Sequence, residues 1–293
     1  MKIINLKLLI TVFLFWLTIQ LNFVYEDVLA YLIIVTIGIV HGSNDLSIIS
    51  HLNKNKNKLN SSNFLFLYVT IVLAVTYSFM TIPSLALFTF LMFSFYHFGE
   101  QHLGGLLLNN TLKSKLFFST YGALIFALIF YCNTPDTINI IKELTGISIP
   151  EYYFLYFLVA SLFSTLLSYL INLKNTNFKF NIFYELFIIV LFSFLFSIST
   201  LLWSFAIYFI IWHSIPSIID QIKVLHRTLT KQHVIHYLKS SFLYWFISIV
   251  GLVVLYYYST YFEIAFNTLF FAFLAAITIP HVIIMYVLNK KLK

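Results

Sequence analysis

In a chain of 293 residues, 61% are apolar, 20% aromatic and only 9% charged, and the mean hydropathy is +0.93, a composition outside the range of water-soluble domains. The chain therefore reads as an integral membrane protein, and its net charge of +7 as membrane orientation and attraction to anionic lipid rather than nucleic-acid binding. The single cysteine, Cys132, excludes an internal disulfide and a cysteine-type metal site.

Apolar stretches of 17 to 25 residues recur along the chain. At 1.5 Å per residue each can cross a hydrocarbon layer about 30 Å thick as a helix, and the alternation expected of barrel strands is absent. The reading is a single all-α integral membrane domain over residues 1–293, a polytopic bundle of about ten spans, or eight to ten if adjacent spans merge into re-entrant pairs. In chain order the spans are predicted at 6–24, 28–50, 64–82, 84–108, 116–132, 152–173, 182–199, 201–222, 240–259 and 265–288. The first begins with Lys2 and lacks a small-x-small cleavage pattern before Gln20, Asn22, Tyr25 and Glu26, so it is read as a span, not a signal peptide.

With the N-terminus inside, sixteen of the seventeen basic residues fall on one side: Lys2, Lys7, Lys54, Lys56, Lys58, Lys113, Lys115, Lys174, Lys179, Lys223, Arg227, Lys231, Lys239, Lys290, Lys291 and Lys293. Lys142 is the exception. The other side holds Glu26, Asp27, Asp136, Glu143, Glu151 and Glu263. Cytoplasmic loops carry the Lys and Arg excess, so both termini are expected in the cytoplasm. The connection from Lys223 to Ser240 carries His226, His233 and His236; His233 and His236 at i, i+3 are compatible with metal, but the reading preferred here is a solvated amphipathic helix on the membrane surface. Residues Asn53 to Asn63 read as a polar linker.

Four histidines, His41, His97, His213 and His281, lie deep in four different even-numbered spans, about 13, 13, 12 and 16 residues in. Those spans run in one direction, so the depths agree within roughly 6 Å. Ionisable side chains in hydrocarbon are expensive, and imidazole is the commonest metal ligand. One such histidine is ordinarily an interhelical hydrogen bonder; four at one level point to a shared metal site, with Fe, Cu or Zn as the fitting ions. Asp45 follows His41 by four residues, Glu100 follows His97 by three and Asp220 follows His213 by seven, spacings that return to the same helix face. Asp45 and Glu100 are read as acceptors that orient imidazole N–H groups, Asp220 as an interfacial acid. Gly38 and Gly42 bracket His41, Gly99 follows His97, and Pro216 and Pro280 flank the other two histidines, permitting close helix approach and kinks. The 34 Phe and 20 Tyr suit an apolar tunnel as well as plain lipid-facing surface. The residues alone lead to a buried histidine metal site acting on something hydrophobic.

At these positions the chain resembles the Brp/Blh family of membrane β-carotene 15,15′-dioxygenases associated with bacterial rhodopsin systems. His41-Gly42-Ser43-Asn44-Asp45 is similar to that family's His-Gly-x-x-Asp, His97-Phe98-Gly99 to its His-Phe-Gly, and Trp212-His213-Ser214 and Pro280-His281 follow in family order. The resemblance implies a non-haem Fe(II) enzyme that uses O2 to cut the central double bond of β-carotene into two all-trans-retinal molecules, which a retinal-binding rhodopsin would consume. It makes His41, His97 and His213 iron ligands. Two positions depart from the family: Ser217 stands where a fourth ligand histidine is expected, and His102 where an acid is expected. His281 is the replacement ligand expected here, with Asp45, Glu100, Ser217 and His102 as supporting groups.

Two other classes remain open on sequence. A proton- or ion-coupled transporter also carries intramembrane acids and histidines, although strung through both leaflets rather than gathered at one depth. A haem-binding electron carrier also uses histidine pairs on a bundle. A di-iron desaturase is disfavoured because histidine boxes such as HxxHH are missing.

Overall fold

The computed structural model describes residues 2–53, 61–103, 111–173, 180–262 and 265–292. Lys54, Lys56, Lys58, Lys174, Lys179, Glu263 and Lys293, used in the charge count, lie outside them, as does most of the 53–63 linker.

Among the described residues the elements are helical throughout. In order they are α1 (Lys2–Gln20), α2 (Phe23–Ile33), a π-helical segment π1 (Ile34–Gly38), α3 (Ile39–Gly42), α4 (Asp45–Asn53), α5 (Ser61–Thr81), α6 (Pro83–Leu103), α7 (Leu112–Cys132) and α8 (Thr134–Thr145). There follow α9 (Tyr152–Asn172), α10 (Ile182–Ser197), α11 (Leu201–Ile207), a second π segment π2 (Tyr208–Ser214), α12 (Ile215–His226), α13 (Lys231–Phe262) and α14 (Phe266–Leu292). Helix makes up the body of each predicted span among the described residues, 104–108 of the fourth lying outside them. Seven stretches are long and apolar enough to cross a membrane: Phe23–His51, Asn63–Thr81, Leu112–Cys132, Tyr152–Asn172, Leu201–His226, Lys231–Tyr261 and Phe266–Leu288. Leu6–Gln20 and Ile182–Ser197 are shorter apolar helices. Large apolar side chains such as Phe66, Met80 and Phe183 stand more than three-quarters exposed, the mark of surfaces solvated by lipid rather than water.

Local sequence sets the helix ends. Asn22, Thr111, Asn181 and Thr200 cap α2, α7, α10 and α11, each side-chain oxygen accepting from the backbone N–H three residues on, which satisfies a donor the helix leaves open. Within the apolar helices many hydroxyls bond back to the carbonyl four residues earlier, as at Thr11, Thr18, Thr70 and Thr76, which gives each of those four a partner inside hydrocarbon.

Two differences from the sequence reading stand out. The amphipathic α8 occupies what was read as a connection. The expected surface helix before residue 240 is instead the first part of α13, which runs unbroken for 32 residues. Residues 231–262 contain no proline and one glycine, Gly251, so nothing interrupts the hydrogen-bond ladder.

The chain forms two compact units. One comprises Met1–Gly38, Phe95–Asn139 and Ile149–Pro216; the other comprises Ile39–Ser94, Ile140–Ser148 and Ser217–Lys293. In the first unit α6 and α7 touch backbone to backbone: a Cβ added at Gly99 would lie 1.9 Å from the Phe118 carbonyl oxygen, and one at Gly122 would lie 1.9 Å from that of Phe95. Only glycine permits that approach. Indole N–H groups staple α1 in place, Trp203 Nε1 donating to Thr18 Oγ1 at 2.8 Å and Trp212 Nε1 to Thr11 Oγ1 at 3.0 Å. Glu26 and Asp27 hold the start of α11 by accepting from the N–H and hydroxyl of Thr200, both at 2.7 Å. In the second unit α14 packs on α3, α4, α5 and α13, with Ile48, Ile284, Met285 and Leu288 forming a buried cluster. Thr268 of α14 donates to Glu143.

Candidate metal centre

The four histidines are buried, with 7%, 2%, 1% and 2% of His41, His97, His213 and His281 exposed. Each unit contains a pair.

In the first unit His97 of α6 meets His213 of π2, ring centroids 4.6 Å apart and planes at 74°. The π register matters locally. Tyr208–Ser214 closes wider turns, with the Ile215 N–H reaching back to the Ile210 carbonyl, and the segment ends where Pro216 has no N–H to continue the ladder. Such wide turns recur at functional sites. Aromatic rings fix the imidazole plane: Phe98 stacks on His213 at 4.2 Å and 14°, and Phe209 lies parallel at 5.6 Å and 15°. Glu100 is buried and accepts from the Tyr96 hydroxyl at 3.0 Å.

His102 belongs to a further polar group in that unit. Helix α6 stays regular through Gly99, so the imidazole points elsewhere than His97. It stacks on Trp212 at 4.9 Å and 11°, and Nδ1 lies 3.3 Å from the Tyr208 hydroxyl. Nε2 lies 3.4 Å from Glu185 Oε2, which also accepts from Tyr121 at 2.7 Å. Glu185 was absent from the sequence reading, although a carboxylate inside the apolar stretch 182–199 is itself the signal that would have found it.

In the second unit His41 of α3 meets His281 of α14, centroids 4.7 Å apart and planes at 81°. Here hydrogen bonds do the orienting. Asp45 Oδ1 lies 2.8 Å from His281 Nδ1; an ionised carboxylate only accepts, and in that state it would keep the proton on Nδ1 and leave the Nε2 lone pair free of it. Asp45 thus orients the histidine of another helix, not the one four residues before it. Gly42 lies against this ring: a Cβ there would sit 3.7 Å from His281 Nδ1, an ordinary contact. The carbonyl of His41 accepts from Gln221 Nε2 at 2.9 Å; the same amide nitrogen donates to Ser217 Oγ at 3.0 Å, and the Tyr237 hydroxyl donates to Gln221 Oε1 at 2.7 Å. Ser217, in the position where the resemblance expects a ligand, is therefore part of the cradle under His41. Asn44 completes it, donating to the Tyr237 carbonyl at 3.0 Å and accepting from Ser240 at 2.7 Å. Gln221 and Tyr237 carry no motif, and only the fold brings them to His41.

Beside this pair an apolar cleft of about 270 Å³ runs between α4, α5 and α14, lined by Leu46, Phe64, Ile71, Pro280 and Ile283 among others. Its walls suit hydrocarbon, not a charged solute.

An all-helical membrane protein that buries histidines on separate apolar helices, each ring held by a carboxylate or aromatic neighbour, belongs to the class of integral membrane proteins with a histidine-lined site. The family model described as beta-carotene 15,15′-dioxygenase matches residues 32–289, and the chain belongs to that family. Comparison with curated proteins and with solved structures gives no match.

Proposed function

We propose that the chain is an iron-dependent dioxygenase that cleaves the central 15,15′ double bond of β-carotene, placing one oxygen atom of O2 on each of two all-trans-retinal products. The observation that carries this reading is the family match over a segment that contains all four buried histidines. In the proposal the two pairs, His97 with His213 and His41 with His281, supply one ferrous ion. The donor set fits it: imidazoles suit Fe(II), and the one cysteine is not part of any cluster among the described residues. Ferrous iron bound there would supply the one-electron chemistry that lets triplet O2 react with a closed-shell polyene.

The chain's own residues prepare that chemistry. Asp45, when ionised, keeps the His281 proton on Nδ1 and leaves the Nε2 lone pair for a metal. Phe98 and Phe209 hold the plane of His213, and Gln221 with Tyr237 holds the backbone of His41. The cleft beside Pro280 offers the hydrocarbon substrate an apolar approach that excludes water. Substrate would enter from the bilayer of a bacterial inner membrane, with both termini in the cytoplasm as the charge segregation favours, and retinal would pass to a retinal-binding rhodopsin. Expression in a β-carotene-accumulating bacterium, with chromatography for retinal, tests the reading. Pigment loss matched by two retinal molecules per carotene is expected; unchanged pigment with the protein present in the membrane overturns it.

A further inference from the structure

A second group of histidines lies at the turn between α12 and α13. Helix α12 ends at His226, and Arg227 then adopts a left-handed backbone with φ 64. A non-glycine residue keeps that conformation only where its surroundings hold it. The turn sends α13 back so that three imidazoles meet. His226 and His233 stack with centroids 4.7 Å apart at 15°, and His226 and His236 meet edge to face at 5.0 Å and 80°.

We propose that His226, His233 and His236 form a metal site for a borderline divalent cation such as Zn²⁺, separate from the iron centre. Two observations point to a ligand rather than to a chance contact. His233 Nδ1 lies 2.8 Å from the Thr228 carbonyl oxygen; a carbonyl only accepts, so Nδ1 carries the proton and Nε2 holds a lone pair for a metal, the arrangement seen behind ligating histidines. His226 Nε2 is shielded from solvent and has no hydrogen-bond partner among the described residues, a cost that a metal bond would remove. The rings now meet face to face and edge to face, so holding one ion would require His226 and His236 to take other side-chain rotamers. An all-imidazole set selects Zn, Cu or Ni over Mg or Ca. The site would clip the α12–α13 hairpin, the same hairpin whose Gln221 and Tyr237 support the His41 carbonyl.

The test is zinc binding to the tag-free protein in detergent, counted by equilibrium dialysis and elemental analysis. The parent is compared with a variant carrying His226→Gln, His233→Gln and His236→Gln, and with His236→Gln alone. Whatever His41, His97, His213 and His281 bind is common to all three proteins and cancels. The parent should hold one more zinc per chain than the triple variant, and zinc should raise the melting temperature of the parent more than that of the variant. His236 is exposed, so its single substitution leaves folding intact and should weaken that extra site by at least about tenfold, as loss of one of three ligands does. Equal zinc in parent and triple variant, or an unchanged affinity in the single variant, overturns the proposal.

Discussion

The histidine pairs in the two units are held by different physics. His97 and His213 sit among aromatic rings, and the plane of His213 is set by stacking on Phe98 and Phe209. His41 and His281 sit in a hydrogen-bond network in which Asp45, Gln221, Ser217, Tyr237 and Asn44 each have a defined partner. Stacking restrains the tilt of a ring but says nothing about which nitrogen carries the proton, whereas a carboxylate on Nδ1 fixes both. The polar pair therefore depends on individual atoms, and the aromatic pair on shape and area.

Substitutions can break or sharpen this contrast. The largest effect is expected from removing a ring: His213→Ala in one unit and His41→Ala in the other should each bring retinal below detection by chromatography, with the protein still present in the membrane. Retinal surviving one substitution but not the other would make the two pairs unequal and refute a shared role. Next comes Asp45→Ala, which should lower iron affinity by roughly 10–100-fold, the usual cost of losing a carboxylate behind a ligating histidine; metal titration of the purified variant measures it. Phe98→Leu keeps apolar bulk but loses the stacked ring, so the fall in retinal formation should be about fivefold, in line with the roughly 1 kcal/mol such contacts carry. A fall as deep as that of Asp45→Ala would mean that stacking and hydrogen bonding restrain their histidines equally. Smallest is Gly42→Ala, where a new Cβ would meet His281 at ordinary contact distance, and activity should hardly change. Gly99→Ala provides the opposite control: its Cβ would collide with the Phe118 carbonyl, and the amount of folded protein in membranes should drop.

Much of this was legible in the sequence because a bilayer permits few solutions. A run of about twenty apolar residues has to be a helix in hydrocarbon, and the described part of each predicted stretch is mainly helical. The four histidines announced themselves by being ionisable and deep. The π segments left no such trace: a change from i→i−4 to wider turns alters hydrogen-bond register without altering which residues are apolar, and only Pro216 hinted at one of them. Helix α8 was missed because its length is short of a span and its faces mix polar and apolar residues. Gln221, Tyr237 and Gly122 were invisible for another reason. Each acts on a residue far away in the chain, and neither spacing nor composition records such contacts.

The proposed function has His41, His97, His213 and His281 serving one ferrous ion. Iron content per chain, measured on purified parent protein and on His41→Ala, His97→Ala, His213→Ala and His281→Ala, tests it most directly. The expected result is one iron in the parent and a loss of iron in the variants of either unit alike. Full iron retained in both single variants of one unit would contradict it.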